Sequence, residues 1–179
     1  MKKRKNNKQS IPWYPNLREN DSQGNSPNFA GTGSSINCDC TESAFKAFAT
    51  FNQPLTAFTF DRVVYPAVQF DLNNEFQIPT TFVPNQGGIY SIIGSAAFNP
   101  NNVNVTSSIT IQIRVNGVTV AQDNESFVPG IGNVIVEVTT TAELNAGDTV
   151  EVFVQPTANG RLFLGPATRF EASRFPSSQ

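Results

Sequence analysis

From Ser107 to Arg114, polar and apolar residues alternate without a break. Ile109, Ile111, Ile113 and then Val115 fall on one side; Ser108, Thr110, Gln112 and Arg114 fall on the other. A period of two is the period of a strand with one buried face. The run ends at Asn116-Gly117, followed by Val118. Asn-Gly tolerates the positive φ that both central positions of a tight hairpin turn require, so the chain is expected to reverse and return as a strand to about Gln122.

The same texture extends from about residue 42 onward. Val134, Val136 and Val138 alternate with Ile135, Glu137 and Thr139. After the turn Ala146-Gly147-Asp148, Val150, Val152 and Val154 alternate with Glu151, Phe153 and Gln155. Further strands are expected at 44–51, 58–64, 68–70, 76–78, 161–164 and 168–175. Asn, Thr, Val, Gly and 15 Phe dominate the chain, a mix that favours strands and turns over helix. About ten short strands at roughly ten-residue spacing indicate an all-β sandwich or jelly roll.

One strand departs from simple alternation. In Phe82-Val-Pro-Asn-Gln-Gly-Gly-Ile-Tyr-Ser-Ile-Ile-Gly the chain leaves a Gly-rich loop and becomes apolar on both faces. Tyr90, Ile92, Ala96 and Phe98 share one face with Gly94; Ile89, Ile93 and Ala97 share the other with Ser91 and Ser95. One face must fill the sandwich. The other is expected to meet neighbouring subunits, which makes Ile89, Tyr90, Ile92, Ile93 and Phe153 the candidate subunit-contact residues.

Residues 1–41 read as a polar, basic tail with isolated apolar residues. Its first ten residues hold five of the twelve basic side chains and no acidic one; the rest of the chain holds seven basic against fourteen acidic. Ile11-Pro12-Trp13-Tyr14-Pro15 is an aromatic cluster clamped by prolines, suited to docking on a partner. Cys38-Asp39-Cys40 spaces its thiols too tightly for an ordinary zinc pair. These two cysteines are candidates for cross-links between chains, with free thiols on a tail as the alternative. The basic start is followed by no hydrophobic segment, so no signal peptide is read and synthesis in the cytoplasm is expected. No apolar run is long enough to span a membrane.

The order of aromatic landmarks is specific. Tyr65, Asp71, Phe76, Phe82 and Gly88-Ile89-Tyr90 resemble the signature of the C1q-type domain. Ala44-Phe45-Lys46-Ala47 resembles that family's first strand, and Phe60-Asp61-Arg62-Val63-Val64-Tyr65 its second. Val115-Asn116-Gly117, the hairpin Leu144–Val150 and the closing Phe170–Phe175 also match. The resemblance covers about residues 43 to 175. Ile92 and Gly94 stand where aromatics are usual and Ala172 where Gly is common, which fits a bacterial or phage member. The resemblance implies a ten-stranded jelly roll of the C1q/TNF type that assembles as a homotrimer and acts as a non-enzymatic structural or interaction module. Bacterial members of this type resemble surface-layer and spore-coat components, so a spore coat or exosporium role, with other coat proteins as partners through the tail, is the expectation. A lectin-like module binding carbohydrate or protein is the alternative, and a viral capsid or fibre head a weaker one.

The residue inventory argues against catalysis. The chain has no histidine, which removes the commonest general base and metal ligand. Asp123 with Glu125, and Asp148 with Glu151, are the carboxylate pairs nearest in sequence to a glycosidase pair, but Gly147-Asp148 reads first as a turn. No cofactor is expected. Asp71-Leu72-Asn73-Asn74-Glu75 is the richest oxygen cluster for calcium, yet it lacks the pattern of a calcium loop and reads as a polar turn. The acidic body argues against nucleic-acid binding.

Overall fold

The computed structural model describes residues 42–176. The basic tail, the Ile11–Pro15 cluster, Cys38 and Cys40 lie outside the described residues. Thirteen strands run in order: β1 (Ala44–Ala49), β2 (Gln53–Leu55), β3 (Asp61–Arg62), β4 (Ala67–Asp71), β5 (Phe76–Gln77), β6 (Thr81–Phe82), β7 (Gly88–Pro100), β8 (Ser107–Val115), β9 (Val118–Phe127), β10 (Val134–Leu144), β11 (Val150–Pro156), β12 (Gly160–Leu162) and β13 (Gly165–Arg174). No helix occurs among the described residues.

Two antiparallel sheets result. The first has the order β2-β12-β7-β13-β1-β4, with β10 pairing β7; the second has β5-β6-β11-β8-β9, with β3 pairing β11. The Asn116-Gly117 turn forms as expected, with φ of 50° and 80°, and pairs Val115 with Val118.

The thirteen strands are close to the roughly ten expected, and the differences have identifiable reasons. β2 contains Pro54, which sequence reading discounts, but it is an edge strand paired only with β12, where a missing N–H is tolerated. The span 58–64, expected as one strand, pairs only at Asp61 and Arg62. Phe58, at its start, has φ of 61°, a left-handed conformation that does not continue a strand. β9 runs past Gln122 through Asp123-Asn124-Glu125 to Phe127, because β8 supplies a paired template opposite each residue.

The core explains the aromatic landmarks. Phe45 stacks on Phe76 and Phe82 with centroids 4.8 Å apart in both cases, and meets Phe170 edge-on at 4.9 Å. Tyr65 packs on Phe170 and Phe82 on Tyr90. All six rings are buried. Each such pair contributes about 0.5–1.5 kcal/mol beyond simple area burial. Asp71 serves the same cluster from the turn: its two carboxylate oxygens accept the backbone N–H groups of Glu75 and Phe76, which positions the Phe76 ring. Glu75, itself buried, accepts from the Ser43 hydroxyl and the Asn85 amide. The oxygen cluster at Asp71–Glu75 thus holds a turn together.

Candidate interaction face

Strand β7 answers the question its sequence raises. Tyr90, Ile92, Ala96 and Phe98 point between the sheets and are fully buried. Gly94 belongs to this inward row, where an added Cβ would sit 3.0 Å from a Val152 methyl of the opposite sheet. Glycine here lets two sheets approach. Ile89, Ser91, Ile93, Ser95 and Ala97 form the outward row.

Register builds the surface around that row. Ile93 lies between Thr139 of β10 and Glu171 of β13; Glu171 in turn faces Lys46 of β1, and Lys46 faces Phe70 of β4. Ile89 is paired with Glu143, and Ser95 lies between Glu137 and Arg169. Ile89, Phe70 and Ile135 are 43%, 42% and 58% exposed on this face. A shallow depression of about 270 Å³ opens between β1, β4, β7 and β13, lined by Ala44, Phe70, Ser91, Ile93 and Glu171 among others.

The charges on this face are paired with one another. Lys46 Nζ lies 3.1 Å from Glu171, Arg169 Nε 3.0 Å from the same carboxylate, and Arg169 Nη2 2.6 Å from Glu137. Burial pushes the Glu171 carboxyl up, but hydrogen bonds from Arg169 and Lys46 outweigh it and hold the group below the ordinary carboxylate range. Burial likewise disfavours the charged Arg169, and its two carboxylate partners more than offset that.

The five expected contact residues therefore separate. Tyr90 and Ile92 are core residues within one chain and offer no surface. Ile89 and Ile93 lie on the outward face of the first sheet. Phe153 points outward from β11 in the second sheet, where the guanidinium carbons of Arg114 and Arg62 lie 4.1 and 5.6 Å from its ring centre. Of the five, Ile89 and Ile93 share the outward face of the first sheet with the exposed Phe70 and Ile135. That Phe70 and Ile135 share this face was not legible in the sequence, because their pairing partners are distant in the chain.

The carboxylate pairs take up local roles. Asp148 accepts from Asn116 Nδ2 at 2.9 Å and from the Asn145 amide at 2.7 Å, closing the turn beside the Asn116-Gly117 hairpin. Glu151 receives Arg62 and the Thr81 hydroxyl, each at 2.9 Å. Asp123 and Glu125 are exposed on the edge strand β9. Among the described residues no group of three or more potential ligands is placed to hold a metal ion.

Solved structures share this architecture. Crystal structures of murine APRIL at pH 5.0, 8.5 and 8.0 match with TM-scores of 0.58, 0.56 and 0.57 and identities of 16%, 15% and 15%. Each match covers 75% of this chain and 99% of the APRIL chain. The fold is a TNF-like jelly roll. No protein-family model and no curated protein matches the sequence. At these identities the likeness carries the fold and not an activity.

Proposed function

We propose that the chain is a homotrimeric, non-enzymatic structural or interaction module that assembles through the outward face of β10-β7-β13-β1. The observation that carries this reading is the character of that face: exposed Ile89, Ile135 and Phe70 and half-buried Ile93 surround charges already paired with one another. Such pairs keep their partners when water is excluded, so covering them costs less than covering isolated charges. The C1q/TNF resemblance supplies the three-fold stoichiometry, and the missing histidine supports the non-enzymatic part. Sedimentation equilibrium at micromolar concentration is expected to return three times the 19.5 kDa chain mass; a monomer mass overturns the proposal.

The finer reading places this module in a bacterial surface layer such as a spore coat or exosporium, and rests on the sequence resemblance. Its test is expression timing. Synthesis confined to sporulation supports it, and constitutive synthesis in vegetative cells counts against it.

A further inference from the structure

The second sheet turns its own outward face to solvent, away from the contact face above. Arg114 stands near the end of β8, two residues before the Asn116-Gly117 turn. The guanidinium carbon lies 4.1 Å from the Phe153 ring centre and 4.8 Å from that of Phe60. Its Nε and Nη2 both donate to Gln112 Oε1, at 3.0 and 2.8 Å. That oxygen also receives the Thr119 hydroxyl at 3.1 Å, and Gln112 Nε2 donates to Gln122 at 2.6 Å. Gln112 is itself 8% exposed, so the group gripping Arg114 is rigid.

A guanidinium has five N–H donors, and the grip uses the Nε side of the fork. The end carrying Nη1 and the second Nη2 hydrogen keeps its donors. Strand register sets Glu151 directly opposite Arg114, yet that carboxylate is engaged by Arg62 and Thr81. Among the described residues no carboxylate lies within ion-pair distance of Arg114, whereas Lys46 and Arg62 each have one and Arg169 has two. The sheet therefore holds one oriented, uncompensated guanidinium with its bidentate end available, which is the geometry that takes a carboxylate.

The surroundings choose among carboxylates. Thr119, Gln122 and Asn124 are exposed neutral hydrogen-bonding side chains beside Arg114 and Gln112 on β9. Phe60, 37% exposed, supplies an apolar surface beside Arg114. A run of adjacent carboxylates would meet Glu151; a ring bearing a single carboxylate among hydroxyls would not.

We propose that this face binds a carboxylate-bearing saccharide. Arg114 takes the carboxylate end-on, Phe60 covers the apolar face of the sugar ring, and Gln122 and Asn124 bond its hydroxyls. The site is independent of assembly through the first sheet.

The test is calorimetric titration of the full chain with the methyl glycoside of galacturonic acid, which carries one carboxylate among hydroxyls, with the methyl ester of that acid and with hexaglutamate. The acid is expected to bind saturably, and the ester and the peptide about tenfold more weakly or less, since each loses a charge-assisted fork or adds repulsion. Arg114→Gln and Arg114→Lys are each expected to weaken the acid by about tenfold or more, because lysine keeps the charge and loses the fork. Phe60→Leu, at an exposed position, provides the same readout should the Arg114 variants lose the cooperative thermal transition. No saturable binding of the acid overturns the proposal. So does an ester or hexaglutamate that binds as tightly as the acid, or a folded Arg114 or Phe60 variant with unchanged affinity. Sedimentation mass is expected to be the same for wild type and Arg114→Gln, which separates this site from the assembly face.

Discussion

At the scale of single residues, Gly94 and Asp148 show two ways a side chain constrains this fold. Gly94 is defined by what it lacks. Its Cβ position lies 3.0 and 3.1 Å from the two methyls of Val152, which is fully buried and cannot move freely. Gly94→Val is expected to overpack the intersheet contact and to destabilise by about 1–3 kcal/mol, read by urea denaturation. Asp148 acts through charge-assisted hydrogen bonds. Those from Asn116 and the Asn145 amide hold its carboxyl below the ordinary range. The contribution is therefore fully present above the unfolded value of about 4 and is lost as pH falls through the lower folded value. Asp148→Asn is expected to lower the melting temperature at pH 7, with the gap to wild type closing as the pH is taken from 4 downward.

At the scale of elements, β7 is the organising strand. It pairs with β10 along its first eleven residues and with β13 and then β12 on its other side. Its two faces have different employment, and neighbouring isoleucines separate them. Ile92→Asp places a charge in the core beside Tyr90 and is expected to unfold the chain, since an unpaired buried charge costs several kcal/mol. Ile93→Asp, one residue on, is expected to leave the circular dichroism spectrum and a cooperative melt intact while shifting sedimentation from trimer to monomer. An Ile93→Asp variant that stays trimeric removes the first sheet from the assembly proposal. β10 lies at the edge of that sheet, and its outward Ile135, Glu137 and Thr139 border the same surface.

At the scale of the whole molecule, a sandwich presents two outer faces, and here they differ chemically. The first sheet shows exposed isoleucines and paired charges. The second shows an aromatic–arginine cluster among amides and hydroxyls. An obligate assembly through the first face makes stability depend on protomer concentration. The thermal midpoint is expected to rise over a hundredfold increase in protein concentration; a midpoint independent of concentration argues for a stable monomer.

Much of this was legible in the sequence. The period-two runs, the Asn116-Gly117 turn and the ordered aromatics specified an antiparallel sandwich, because strand alternation and turn chemistry are local properties. The two faces of β7 were readable for the same reason: parity assigns every second residue to one side. Which side is core, which residues flank Ile93, and that Phe153 belongs to the opposite sheet depended on strand register and on pairing between segments far apart in the chain. The short pairings of β2 and β6, and the extension of β9 through Asp123–Glu125, exist only because a neighbour supplies hydrogen bonds that no local propensity encodes. The Arg114 cluster was invisible for the same physical reason. Phe60, Gln112, Thr119 and Phe153 meet Arg114 through three strands and a loop, and Glu151, opposite Arg114 in register, pairs with Arg62 and Thr81.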